Sequence, residues 1–291
     1  MEYWFSENHT KNVKLSIKVD KQLYSDESKY QRIDIFYSPE FGRLLSLDGF
    51  LMLTEKDEFI YHEMIVHPAM AVHPNPKNIL IIGGGDGGAL RELGKYDFIE
   101  NIDIVEIDGM VIESAKKHLP FTACGFDNDK VNIYLQDGLK FIRKKYNCYD
   151  LIIVDSTDPF GVGEGLFTKE FYGNCYNALK DDGILINQHE SPFYPEDSIA
   201  MQKAHKRISE IFDLAKVYQA HIPTYPSGHW LFGFASKGYH PINDLDSKAW
   251  KKREIETKYY TTNLHKGAFM LPKYVEELLK KVEKEDHAFE D

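Results

Sequence analysis

The chain has 291 residues, room for one large domain or two modest ones at roughly 100 to 200 residues per domain. Apolar residues make up 43% and charged residues 28%, with 20 Gly and 12 Pro scattered along the chain, which excludes disordered, collagen-like and coiled-coil proteins. Acidic residues (46) exceed basic ones (35), and the resulting formal charge of −11 repels phosphate backbones and anionic lipid, so a cationic ligand is a better partner than nucleic acid or a membrane.

The first fifty residues read as short strands at Leu15 to Val19, Arg32 to Tyr37, Leu44 to Leu47 and Phe50 to Leu53. Asp48-Gly49 between the last two accepts the paired positive φ angles of a type I′ hairpin turn. This small antiparallel β domain, residues 1–54, gives way to a linking helix within 55–76, with Thr54 as N-cap, Asp57 completing a capping box, and an end near Val72. Pro74 and Pro76 mark the linker.

From residue 77 onward strands alternate with helices. Apolar runs at Ile79 to Ile82, Ile102 to Glu106, Val131 to Leu135, Tyr149 to Asp155, Gly183 to Gln188 and Leu214 to Gln219 predict a doubly wound α/β domain with a parallel sheet. His229 to Ala235 follows the preceding strand too closely for a parallel crossover, so this pair is expected to be antiparallel at the sheet edge, as in a methyltransferase-like Rossmann sheet. The three cysteines have neither disulfide nor metal-ligand spacing, no apolar run approaches the ~20 residues of a membrane span, and the Met1-Glu2-Tyr3-Trp4 start resembles no secretory signal; a cytoplasmic protein is expected.

Gly83-Gly84-Gly85-Asp86-Gly87-Gly88 follows a strand and opens a helix that should run to about Lys95, with Glu106 at the tip of the next strand. Glycines at Gly83 and Gly85 let a ligand approach the backbone, and Glu106 can accept hydrogen bonds from both ribose hydroxyls. A nicotinamide dinucleotide and a sulfonium nucleoside both suit that arrangement. Asp86 discriminates: a carboxylate about 4 Å from a pyrophosphate costs on the order of 4 kcal/mol at an effective dielectric near 20, so the loop favours a positive ligand. The alternative is that Asp86 caps the helix and faces water.

Asp155 and Asp158 lie at the carboxyl end of another strand, followed by the Gly-rich segment 160–165, which reads as a lid. Turn formation before Pro159 is the competing explanation. Asp86, Glu106, Asp137 and Asp155 all follow predicted strands, and such a crowd of carboxylates calls for a polycation. Tyr61 and His62 on the linking helix, Tyr225 in the edge-hairpin loop and Gln188 at a strand end each have a packing role as their alternative.

These residues resemble the polyamine aminopropyltransferase family. The likeness runs through Tyr30-Gln31-Arg32-Ile33, Leu47-Asp48-Gly49, the stretch from Thr54 to Glu63, the glycine loop, Asp155-Ser156-Thr157-Asp158-Pro159 and Pro223-Thr224-Tyr225-Pro226-Ser227-Gly228. It implies transfer of an aminopropyl group from decarboxylated S-adenosylmethionine to putrescine, giving spermidine and methylthioadenosine, with no metal or cofactor. It places Gln31, Glu106, Asp137, Gly138 and Val162 around the methylthioadenosine portion. His62 and Asp86 would contact the polyamine, Asp155 would accept the proton with help from Tyr61, and Ser156, Thr157 and Asp158 would line the amine channel. Trp4, Gln188 and Tyr225 match positions toward the far end of the diamine. The resemblance also implies a homodimer or homotetramer. Agmatine, cadaverine or spermidine as acceptor, a methyltransferase, a nicotinamide dehydrogenase and a non-catalytic polyamine sensor are the alternatives.

Overall fold

A computed structural model of the chain describes residues 2–156 and 165–283. Thr157, Asp158 and Val162, nearly all of the Gly-rich segment, and the end of the charged tail lie outside the described residues.

Six strands come first. β1 (Tyr3–Thr10) and β2 (Val13–Val19) form an antiparallel pair; β3 (Lys21–Glu27), β4 (Arg32–Ser38), β5 (Gly42–Leu47) and β6 (Phe50–Thr54) form a four-stranded antiparallel sheet. The turn between β5 and β6 has Asp48 at φ 50° and Gly49 at φ 86°, the expected pair of positive angles. β1 and β3 were not expected. Apolar alternation does not run the length of YWFSENHT, and KQLYSDE is polar and mostly exposed, so neither is marked by periodicity, and backbone pairing with β2 and β4 makes them strands.

Helix α1 (Glu58–Val72) starts later than the capping-box reading implies. Asp57 holds the N-cap position without a side-chain cap bond, and Thr54 spends its hydroxyl on Asp57 Oδ1 at 2.6 Å. The other Asp57 oxygen accepts from the backbone N–H and the hydroxyl of Thr224, at 3.1 and 2.7 Å. The long-range tie to the edge-hairpin loop therefore competes successfully with local capping.

The chain then builds β7 (Asn78–Gly83), α2 (Gly88–Leu93), β8 (Asn101–Glu106), α3 (Gly109–His118), α4 (Pro120–Ala123), β9 (Val131–Leu135), α5 (Gly138–Ile142) and β10 (Tyr149–Asp155). It continues with α6 (Lys169–Ala178), β11 (Leu179–Gln188), α7 (Pro195–Ser209), β12 (Leu214–His221), β13 (His229–Ser236), α8 (Ser247–Lys252), α9 (Thr262–Ala268) and α10 (Lys273–Lys280). The sheet order is β12-β13-β11-β10-β7-β8-β9, with β13 antiparallel to both neighbours and the other pairings parallel. The expected doubly wound sheet with an antiparallel edge hairpin is thus what forms.

Apolar runs without alternation fit a sheet covered on both faces: Ile79, Ile81, Leu151 and Ile153 join the core that contains α1, while Leu80, Ile82, Ile152 and Val154 pack into the core on the opposite face. Helix α2 ends at Leu93, two residues short of the expected Lys95. From β7 the chain winds outward through β8 and β9, then returns to the other side of β7 at β10. The tips of β7 and β10 therefore flank the topological switch point, where open α/β sheets leave a crevice.

Candidate active site

The crevice is a cavity of about 460 Å³ at the carboxyl ends of the central strands. Its shape depends on glycine. Gly83 has φ 86°, and a Cβ there would lie 2.1 Å from the Asp155 carbonyl oxygen; that oxygen instead accepts a 2.8 Å bond from Gly84 N–H, which draws the β7 and β10 tips together.

Asp155 ends β10 beside this turn. Tyr61, projecting from α1, donates its hydroxyl to Asp155 Oδ1 at 2.7 Å. Asp155 Oδ2 and Ser156 Oγ are buried without hydrogen-bond partners among the described residues, and both residues line the cavity. Unsatisfied buried polar atoms cost about 1 to 3 kcal/mol each, so their position on a cavity wall is an opening for a ligand that donates hydrogen bonds. Burial, and after it the charge of Asp86, raises the Asp155 pKa to about 6. Burial, reinforced by Asp155, also holds the Tyr61 phenol well above its usual value.

Asp86 fills both of the roles considered for it. Its Oδ1 accepts from Gly88 N–H at 2.8 Å, as a helix cap would, and the residue lines the cavity. His62 lies behind it, buried, with Nε2 3.2 Å from Asp86 and Nδ1 2.6 Å from Glu58. Glu58 in turn receives two bonds from Arg91, at 2.6 and 2.9 Å. Burial alone would lower the His62 pKa, but Asp86 and Glu58 outweigh it and raise it to about 10. His62 therefore carries a charge at neutral pH and offsets part of the negative rim, for which the sequence predicts a polycation alone. His62, Asp86 and Asp155 bring ligand atoms within 4.8 Å of one another, a spacing a metal ion could use. With both ring nitrogens donating to carboxylates, however, the imidazole has no lone pair to give.

At the other end of the cavity, Glu106 at the β8 tip accepts from Asp108 N–H at 2.9 Å, and burial raises its pKa to about 7. Gln31 reaches over from the N-terminal sheet and donates to Asp108 Oδ2 at 3.0 Å, next to a 2.7 Å bond from Ser28. Asp137 caps α5 by accepting from Leu139 and Lys140 N–H, and Gly138 follows it with its would-be Cβ 2.6 Å from Ile82. Gln31, Gly83, Gly85, Glu106, Asp137 and Gly138 all line this cavity, together with Tyr61, His62, Asp86, Asp155, Ser156, Gln188 and Tyr225.

Gln188 donates to Glu190 at 2.9 Å, and Tyr225 donates to the Met52 carbonyl at 2.6 Å while its ring packs on Trp230. Trp4 is a correction. The β1 pleat places Phe5, Glu7 and His9 on one face and Trp4 on the other, where it is 54% exposed and does not join the described lining. The same strand supplies lining residues that sequence reading missed, Glu7 and His9, which face Glu190, Glu196 and Asp197 brought in after β11. The available signal was an acidic residue two positions from a buried Phe in an edge strand, too slight without the partner elements. Glu58 and Asp108 were missed too, because each is engaged by a partner distant in sequence, Arg91 and Gln31.

Residues 58–247 match the Spermine/spermidine synthase domain, and residues 3–55 match the Spermidine synthase tetramerisation domain. A polyamine aminopropyltransferase from Alkaliphilus oremlandii is 64% identical over 283 residues, covering 97% of this chain and 100% of that protein. A crystal structure of spermidine synthase in complex with the transition state analogue AdoDATO superposes with a TM-score of 0.93 at 47% identity, covering 96% of this chain and 95% of the other. The crystal structure of spermidine synthase from Thermotoga maritima gives a TM-score of 0.92 at 47% identity, with 96% and 94% covered. The chain belongs to the spermine/spermidine synthase family, the polyamine aminopropyltransferases.

Proposed function

We propose that this aminopropyltransferase uses decarboxylated S-adenosylmethionine as donor and putrescine as acceptor, producing spermidine and methylthioadenosine. The observation that carries the reading is Asp155: a buried carboxylate with its pKa raised to about 6, one oxygen held by Tyr61 and the other without a partner among the described residues.

The donor sulfonium is already activated. The acceptor nitrogen forms a bond to the terminal aminopropyl carbon as the carbon–sulfur bond breaks, its electron pair returning to sulfur and leaving a neutral thioether. The protein must align the two molecules and remove a proton from the acceptor ammonium before attack. Asp155, steered by Tyr61, takes that proton, and Asp86 holds an ammonium group. Ser156, with Thr157 and Asp158, belongs to the same amine channel in this proposal, and Gln188 and Tyr225 attend the distal amine. His62 acts through Asp86 rather than on the polyamine directly. Gln31, Glu106, Asp137 and the glycines hold the nucleoside, with Val162 assigned to the same side.

Ordinary S-adenosylmethionine would carry its α-carboxylate toward Asp86 or Asp155, a repulsion of about 4 kcal/mol at an effective dielectric near 20. The reaction needs no cofactor or metal, since the sulfonium supplies the electrophile. The match of residues 3–55 to a tetramerisation domain supports a homo-oligomer, a dimer or tetramer. Among the described residues no helix is long and apolar enough to cross a membrane; a cytoplasmic setting is part of the proposal.

The test is incubation with decarboxylated donor and a panel of putrescine, cadaverine, agmatine and spermidine, with products identified by mass. Spermidine from putrescine at the highest kcat/KM is expected. A better acceptor elsewhere in the panel would overturn the choice of putrescine, and methylated product from ordinary donor would overturn the reaction.

A further inference from the structure

At the distal end of the cavity a histidine ring stands between two carboxylates contributed by different parts of the chain. His9 Nε2 lies 3.0 Å from Asp197 Oδ2, and His9 Nδ1 lies 3.4 Å from Glu7 Oε1. All three side chains are largely buried, with 13%, 14% and 4% exposure for His9, Asp197 and Glu7. We propose that His9 sets the length of amine the cavity accepts, by filling the place that the third nitrogen of a triamine would take. The inference rests on the aminopropyl-transfer reading above and goes on to name the residue that decides between diamine and triamine.

Neither carboxylate owes its position to His9 alone. Glu7 is pinned by Leu51 N–H, which donates to its Oε2 at 2.8 Å, and Asp197 belongs to the first turn of α7. The gap between them is set by how the β1–β2 hairpin meets α7, and the His9 ring spans it, hydrogen-bonded to Asp197 and within ion-pair distance of Glu7. An alkylammonium has donors for both carboxylates and is smaller than an imidazole. The ring also packs on Tyr194 at 4.5 Å between centroids, which fixes it in the gap. Nearer the reaction centre, Gln188 and Glu190 line the cavity beside Ser156 and are assigned to the second nitrogen of a diamine in this proposal. Shortening His9 lengthens the cavity by about a ring and leaves two fixed carboxylates at its end.

The experiment measures kcat/KM for spermidine and putrescine with decarboxylated donor, in wild type, His9→Ala and His9→Gln, with products identified by mass. The ratio of spermidine to putrescine use should rise by about tenfold or more in His9→Ala, the worth of one new ion-pairing position, and stay near wild type in His9→Gln, which still fills the gap. A ratio that does not rise in His9→Ala while wild type converts putrescine overturns this inference and leaves the parent reading standing. Absence of any aminopropylated product from wild type overturns the parent reading and this one with it. If His9→Ala folds poorly, His9→Asn serves in its place, and calorimetry with methylthioadenosine present gives a readout independent of turnover. Spermidine should bind the shortened variant about tenfold more tightly than wild type, and equal affinity overturns the proposal.

Discussion

Tyr61 donates a 2.7 Å hydrogen bond to one oxygen of Asp155, while the other oxygen of that carboxylate is buried without a partner among the described residues. Asp155→Asn removes the proton acceptor and should lower kcat by roughly 10²- to 10⁴-fold, with donor affinity changed only a few-fold. Tyr61→Phe should lower kcat less. Because the phenol's bond favours the charged carboxylate, its loss raises the Asp155 pKa further, and the acid limb of the kcat profile moves to higher pH. An acid limb that stays in place in Tyr61→Phe would separate Tyr61 from the proton transfer.

Two titrations push activity the same way. Asp155 gains its charge as pH passes about 6, and the neutral fraction of an alkyl amine with pKa near ~10.4 grows throughout the neutral range. kcat/KM for the diamine should therefore climb from about pH 6 to about pH 9. A flat profile over that interval contradicts the assignment.

Asp86 faces the reaction centre with His62 at its back. Asp86→Asn keeps the shape but removes the charge that repels the donor's α-carboxylate, so preference for the decarboxylated donor should narrow by at least about tenfold as turnover slows. Competition between the two donors measures it; an undiminished preference would count against the electrostatic account.

Glu106 has a native pKa of about 7 against an ordinary value of 4.5, so its contribution to stability is fully present below about pH 4.5 and is lost as pH rises through 7. The cost by pH 8 is on the order of 3 kcal/mol. Glu106→Gln escapes that cost, and urea denaturation of the ligand-free protein should show the variant gaining on wild type between pH 5 and pH 8 while its affinity for methylthioadenosine falls. Equal pH dependence in both proteins would refute the assignment of strain to this carboxyl.

His62 has the opposite charge but the same direction of pH dependence, in a higher window. Its raised pKa means its contribution is fully present below about 6.5 and is lost as pH rises through about 10. His62→Leu leaves Glu58 and Asp86 buried without the cation between them and should destabilise by about 3 to 5 kcal/mol at pH 7, with a smaller difference from wild type at pH 10. Denaturant midpoints at the two pH values test both parts.

Some of the site was legible because it depends on strand tips. Glu106 and Asp155 end apolar runs, Asp86 lies in a glycine loop after one, and Asp137 follows another, so recognising β7, β8, β9 and β10 was enough to suggest that these carboxylates share one edge. The antiparallel β12–β13 pair was legible because the seven intervening residues cannot make a parallel crossover. Glu58, Asp108 and Glu7 were not, because an acidic residue on a helix or edge strand resembles a solvated one until Arg91, Gln31 or the Leu51 backbone is brought to it. Thr54 and Asp57 misled for a similar reason: the local pattern fits a capping box, but a partner in the loop at Thr224 takes the carboxylate.

By itself, the order of residues determined the sheet type, the glycine turn and which carboxylates stand at its edge, since these follow from side-chain periodicity and from which residues tolerate positive φ. Tertiary structure decided their chemical state. Whether a carboxylate is charged depends on how much water is excluded and which charge lies a few ångströms away, and neither distance is written in sequence spacing. Thus Asp86 is held charged by a histidine from α1 and Asp155 is raised to about 6 by burial beside it, while at the distal end His9 closes a gap between a strand near the start of the chain and a helix almost two hundred residues later.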